Sequence, residues 1–577
     1  MTLQKEQDHW LSKYAANYHT WKFSTTPSGQ KSYKRPLGLV ETSFDADGTY
    51  YGGRADMNAL FTLAIQHTLR NDDLRRRIVL AWTCLRLQHV LLMSRVEDDK
   101  ETGKRCFVVD VPKSKEEAIQ EVNESIIWVE DLYKNLNVDV EELYHHAINV
   151  GRIIEPSKCM SKCHILPLQK QADGTTEIKF FVVMAHQISD ALSAYNWFSH
   201  LIRIFNMPAQ DIEAEISLSI LEAQMKERLP SAQEDLYPPV AGNKARQRWF
   251  WALVCVLRYV KKTLPPTFVN PLYREQRLEK AIALEPKFDK LFDYSAESRP
   301  PMSSGHITAA LSHSVSKRLV QLCRSAKVSI GAGCFALAGI SMMEIHEARY
   351  AHIPDSERPA FAASFPLNPR AFFANPPAAD SCMLAFSEGI VMPFLPSSLP
   401  IEGRFKLIAR HANRELRMYQ KRLKATSAGE GAMLSLDTHS PSRLLATGYL
   451  AQVERVNSKL PIERQADVNP QGSLAPSIGQ YGATCGVSSV GSLASFFKRG
   501  TYDLSNIGEK DMAADFRDMR IGVRARDNEF LVGSSTNAEG IVGFGVSYDL
   551  SAISQETAEM WKRKIEGLLE GDDGSKL

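Results

Sequence analysis

The sequence predicts an α/β protein built from two halves of alternating strands and helices, joined by a long connection. Three observations predict it. Strand-like apolar runs alternate with helix-period segments from residue 37 to 205, and the alternation restarts at 305 and continues to 569. The run EIKFFVVMA at 177–185 is almost continuously apolar, as a strand buried on both faces must be. Between the halves, residues 206–301 hold a polar helix, a Pro-rich turn at 229–239 and the breaker Pro265-Pro266. The expected segments are therefore 1–206, 207–301 and 302–577.

The elements follow in order. Residues 37–44 read as a strand. Residues 53–69 and 72–93 carry apolar side chains at helical spacing, among them Leu74, Ile78, Ala81, Leu85 and Val90. A short strand at 106–111 and a helix at 115–129 come next. Residues 164–168 form a strand, Asp173-Gly174 a hairpin turn that tolerates positive φ, and 177–185 the returning buried strand. A helix at 191–205 places Leu192, Tyr195, Phe198, Ile202 and Phe205 near one face. The connection holds a polar helix at 210–228. The second half gives a strand at 305–311, helices at 315–325 and 329–346, a strand at 361–367 and a basic helix at 401–424. A loop at 466–483 precedes strands at 485–490, 522–526, 529–534 and 541–548, and a last helix spans 555–569.

Composition is that of an ordinary globular chain. Of 577 residues 44% are hydrophobic and 24% charged, with a net charge of +2, which excludes a disordered chain and gives a nucleic-acid partner no charge to act on. Nine scattered cysteines argue against a disulfide framework and for a reducing compartment. The polar opening MTLQKEQDHWLSKY has no secretory h-region, and no stretch reaches the roughly 18 apolar residues of a membrane span. A cytoplasmic enzyme is expected.

The chemistry centres on His186-Gln187-Ile188-Ser189-Asp190, between a buried strand and an amphipathic helix. A strand end is a rigid mount for an imidazole, the side chain suited to take a proton near neutral pH. Asp190 opens the helix and can cap it. By spacing alone, a histidine and an aspartate four apart recur by chance; the strand–turn–strand–HxxxD–helix context is what gives them weight.

FFVVMAHQISDALS resembles the HxxxD segment of the chloramphenicol acetyltransferase-like superfamily, which includes alcohol acetyltransferases and nonribosomal condensation domains. SFPLNPR (364–370), GVSSVG (486–491) and GVSYDLSAISQETAEMW (545–561) resemble later segments in the same order. GRADMNALF and RIVLAWTCLRLQHVLL add a likeness to fungal enzymes of the trichothecene 15-O-acetyltransferase type, in secondary metabolism. The resemblance implies a two-lobed fold of mixed sheets with a tunnel between the lobes, and a monomer. It implies His186 as general base, Asp190 as a structural residue paired with Arg370, and Ser488 and Ser489 as tunnel wall or oxyanion donors. It implies transfer of an acyl group, acetyl first, from acyl-CoA as co-substrate to a hydroxyl of a small hydrophobic acceptor, with no bound cofactor and no metal.

The chain departs from family patterns. Condensation domains carry a further histidine where Ala185 stands, many members have glycine where Ala191 stands, and DFGWG is missing, Asp515-Phe516-Arg517 being the nearest match. Amide formation, or pericyclic-type cyclisation of a polyketide-derived substrate without CoA, are the alternatives on the same fold, and a non-enzymatic binding module the last.

Other signals have plainer readings. Cys159, Cys163 and His164 lack a fourth zinc ligand and read as packing. His346-Glu347 fails as HExxH because Tyr350 stands at the second ligand position. His145-His146 reads as a solvated helix face. No GxSxG, GxGxxG or Walker A is present. Arg410, Arg414, Arg417 and Lys421 form one stripe, read as a solvated face with a rim for coenzyme A phosphates as the functional alternative. The helix from Lys244 to Lys262 combines aromatic bulk with flanking cations. It reads as a linker packed on the lobes, with weak contact to an internal membrane surface as the alternative.

Overall fold

The computed structural model describes residues 9–133, 138–240, 242–260, 265–373, 375–387, 389–420, 441–474, 483–508 and 510–570. In the first half the elements that build the sheet and helices around the site include Leu39–Tyr50 (α1), Met57–His67 (β1), Asn71–Gln88 (α2), Ile126–Trp128 (β2), Ser161–Ile165 (β3), Thr176–Met184 (β4) and Ala191–Phe205 (α3). Lys244–Tyr259 (α4) lies in the connection. The second half runs Ser304–Ala310 (β5), His313–Ala326 (α5), Ile330–Arg349 (α6), Phe361–Ser364 (β6), Ile390–Met392 (β7), Ile401–Gln420 (α7), Pro441–Lys459 (α8), Cys485–Ser492 (β8), Met512–Val523 (β9), Phe530–Thr536 (β10), Val542–Asp549 (β11) and Gln555–Gly567 (α9).

Two mixed sheets organise two lobes. The first has the order β9-β1-β4-β3-β2, the second β5-β11-β10-β8-β6-β7. In the first, β4 pairs antiparallel with both β1 (Phe181 opposite Leu60) and β3 (Phe181 opposite His164), which explains its continuous apolar run. Phe61, Phe180, Phe181 and Phe198 are buried there together; each such side chain contributes roughly 1.5–3 kcal/mol. In the second, β8 runs parallel to β10 with Val487 opposite Val532, and α5, α6, α7 and α9 pack against it. The expected Asp-Gly turn forms, with Gly174 at φ 84°.

Several expected elements differ. Residues 37–44 are not a strand. Leu37, Val40 and Phe44 follow helical spacing, and the Glu41 carboxylate reaches back to the Gly38 amide at 2.7 Å, starting α1. Residues 53–69 are not a helix, because β1 is a central strand buried between β9 and β4. A short apolar run of this kind fits either period. The helix expected at 210–228 breaks into Ala209–Ser219 and Glu222–Glu227. The short strand at 522–526 is the end of β9, twelve residues long, which pairs with β1. The first-lobe sheet is thus completed by a strand from residues 302–577. The helix α8 has no counterpart in the sequence reading. His146 is buried, its Nδ1 2.7 Å from the Tyr294 hydroxyl, and does not lie on a solvated face.

Candidate active site

His186 stands two residues beyond the end of β4, where the chain turns into α3. The turn is tight: Ile188 N donates to the Ala185 carbonyl at 3.1 Å and Ser189 N to the His186 carbonyl at 3.3 Å. Ala185, Gln187, Ile188 and Ser189 are buried; His186 alone in this stretch is half-buried, at the wall of a cavity of about 1140 Å³ between the lobes. Val40 and Phe44 of α1, His186 and Tyr195 line that cavity from the first lobe, and Ser364 and Leu531 from the second.

One face of the imidazole is stacked, and the ring meets the backbone of its own loop at His186 and Ser189. Phe44 stacks on it with ring centroids 3.9 Å apart and planes 7° from parallel. The Arg526 guanidinium lies 5.5 Å from the Phe44 ring centroid. The Cys382 sulfur is 3.8 Å from Nδ1, and among the described residues nothing hydrogen-bonds Nε2. Burial pushes the imidazole down to about 4, with the Arg526 charge adding to the fall and Asp190 and nearby carbonyls opposing it. At neutral pH the ring is neutral and able to accept a proton.

Asp190 faces away from this ring and is fully engaged. It is the N-cap of α3. Its Oδ1 accepts from Ser193 N at 2.9 Å, and the Ser193 hydroxyl accepts from the Asp190 amide at 2.8 Å, a reciprocal cap. Its Oδ2 accepts from Arg370 Nη2 at 2.8 Å and from the Met383 amide at 3.1 Å. Arg370, itself buried, also donates to the Ser381 carbonyl at 2.5 Å and to Asn368 Oδ1 at 3.2 Å. One buried carboxylate thus ties the start of α3 to the second-lobe segment 368–383, which also carries Cys382.

The expected serines separate. Ser489 sits beside the start of α6, its hydroxyl 3.2 Å from where a Cβ on Gly331 would stand. Neighbouring strand residues point to opposite faces, so Ser488 lies on the face of Gly486. Gly486 packs against Leu531, a residue of the cavity wall. Both serines border the cavity, and neither hydrogen-bonds His186. Arg410, Arg414 and Arg417 are exposed on α7, outside the cavity wall; the stripe does not form its rim, and Lys421 lies outside the described residues. Cys163 and His164 are buried in β3, with His164 Nδ1 3.1 Å from the Phe181 carbonyl. Among the described residues no three histidine, cysteine, aspartate or glutamate side chains gather as metal ligands.

Phe44, Cys382 and Arg526 escaped sequence reasoning. They come from α1, the 368–383 segment and the turn after β9, and no local motif marks them. Ser193 escaped it too: Asp190 is the expected cap, but its partner at the third helical position is a serine and not the usual Glu or Gln.

No family model and no curated protein sequence matches the chain. Solved structures do. The chain is similar to the trichothecene 15-O-acetyltransferase of Fusarium sporotrichioides, with 12% identity and a TM-score of 0.62 over 96% of this chain and 97% of that one. It is similar to the first condensation domain of the calcium-dependent antibiotic synthetase, at 10% identity and a TM-score of 0.50 over 93% and 96%. It is also similar to the epimerization domain from the third module of tyrocidine synthetase B, at 10% identity and a TM-score of 0.50 over 93% and 98%. At these identities the likeness concerns the fold: the chain has the two-lobed, mixed α/β fold that condensation domains and chloramphenicol acetyltransferase-like enzymes share.

Proposed function

We propose that the protein is an acyltransferase that moves an acyl group, acetyl first, from acyl-CoA to a hydroxyl of a small hydrophobic acceptor, with His186 as general base. The observation that carries this reading is the state of His186: a neutral, half-buried imidazole with an unbonded Nε2, at the wall of an inter-lobe cavity, beside a carboxylate turned away and locked.

In the proposed reaction the acceptor O–H gives its proton to Nε2 as its oxygen attacks the thioester carbonyl. When the tetrahedral intermediate collapses, the carbon–sulfur bond breaks and the imidazolium returns the proton to the departing thiolate. Stacking on Phe44 keeps the ring plane fixed through both transfers. Base catalysis of this kind supplies typically about 10²–10⁴-fold, and orientation of the two substrates much of the rest. The Asp190–Arg370 pair holds the loop and moves no proton. Ser488, on the cavity side of β8, is the better placed of the two serines to meet substrate.

The test is incubation with acetyl-CoA and a panel of hydrophobic alcohols, following free thiol. Thiol release that requires an alcohol supports the reading. Alcohol-independent product formation with no thiol released would replace it with cyclisation.

A further inference from the structure

We propose that α4 docks the protein on an anionic phospholipid surface. The helix runs from Lys244 to Tyr259 in the connection between the lobes, and its two faces are both apolar. The inner face is spoken for. Phe250, Trp251 and Val254 are buried in one cluster with Tyr14, Tyr237 and Tyr449, and Arg258 donates to Glu454 of α8 at 2.7 and 3.1 Å. At about 100° per residue, Trp249, Ala252 and Val256 fall on the opposite side of the helix. There Trp249 is 65% exposed and Val256 44%, with Tyr259 at the edge of the stripe at 48%. An aromatic and aliphatic stripe facing water in this way suits an apolar partner.

Charge selects which partner. The helix contains no acidic residue, and its first turns carry Lys244, Arg246 and Arg248, all exposed and none in an ion pair with a described residue. Arg246 and Arg248 fall on either edge of the apolar stripe. Tryptophan and aliphatic side chains in the centre with arginines at the margin match the boundary between acyl chains and anionic headgroups. The hold on the protein is firm, because the inner face is anchored by an aromatic cluster and by Arg258. The docked helix also backs onto the cavity wall: α8 gives Glu454 to Arg258 and Gln452, Arg455 and Lys459 to the cavity lining.

Co-sedimentation of the full chain with phosphatidylcholine vesicles, with and without about a third phosphatidylserine, tests this. Wild type is expected to pellet with the anionic vesicles and to be released progressively by salt. The double variant Trp249→Ala/Val256→Ser is expected to lose about tenfold or more in partitioning. Arg246→Gln/Arg248→Gln is expected to lose the preference for anionic over neutral vesicles. Both variants should melt with wild type, since the altered side chains face outward. Three results would overturn the proposal: no pelleting of wild type, equal pelleting of wild type and Trp249→Ala/Val256→Ser, or a concentration-dependent dimer abolished by that variant in the absence of vesicle binding.

Discussion

His186 and Asp190 stand four residues apart on one loop, and the fold surrounds them in opposite ways. Around Asp190 every acceptor position has a donor, from the backbone and hydroxyl of Ser193, from Arg370 and from the Met383 amide. Around His186 there are a ring face, a sulfur and the backbone of its own loop: Phe44 on one side, Cys382 near Nδ1, and no hydrogen bond from a described residue to Nε2. The difference separates two jobs that a short motif runs together. A group with all its hydrogen bonds made is fixed and inert; a group denied them keeps its lone pair for something else. Aspartate here sets the geometry of the loop, and of the two the histidine keeps the proton acceptor that the proposed reaction needs.

Substitutions can break or sharpen that contrast, and they rank by size. Asp190→Ala is expected to cost the most stability, about 3–5 kcal/mol, because it strands the buried Arg370 guanidinium and removes the α3 cap. Chemical denaturation followed by circular dichroism reads it. Arg370→Lys keeps the charge and loses the guanidinium that reaches Asp190 and the Ser381 carbonyl through Nη2 and Asn368 through Nη1, and should cost roughly 1–3 kcal/mol in the same assay. If both variants were as stable as wild type, the pair would be no seam at all.

Around the histidine, the flanking residues give smaller effects, and these are kinetic. Phe44→Leu removes the stacked face, worth about 0.5–1.5 kcal/mol, and should lower turnover by roughly two- to tenfold with little loss of stability. The pH profile gives a finer test. With His186 held at about 4, the acid limb of kcat/KM should fall near pH 4, well below the ordinary histidine range. Arg526→Gln removes a neighbouring cation and should move that limb upward. The same shift acts on stability. The folded state resists protonating His186 while the unfolded chain takes a proton from pH 6.5 downward, so the contribution is intact above 6.5 and lost as pH falls toward about 4. Cys382→Ala should be the mildest change, under about threefold in turnover, since a sulfur 3.8 Å from Nδ1 is a weak partner.

How much of this could be read from the chain depends on range. The strand ending at Met184 and the helix Ala191–Phe205 stand where the residues put them, because an uninterrupted apolar run and an amphipathic run opened by Asp190 each carry their own signal. Residues 37–69 were read the wrong way round. There Glu41 decides for a helix through the Gly38 amide, and β1 is a strand because β9 and β4 cover it, a fact settled more than a hundred residues away. The helix α8, half-buried and low in periodic contrast, left no pattern. The ring beneath His186 and the thiol beside it come from residues 44 and 382, and only the folded chain brings them together.

The most direct measurement pairs His186→Ala with Asp190→Asn, recording acetyl-CoA-dependent turnover and the denaturation midpoint for each. The account predicts that the histidine variant loses about 10²–10⁴-fold in turnover at an unchanged midpoint, while the aspartate variant unfolds at clearly lower denaturant. A histidine variant that turns over normally, or one whose only defect is a lowered midpoint, would contradict it.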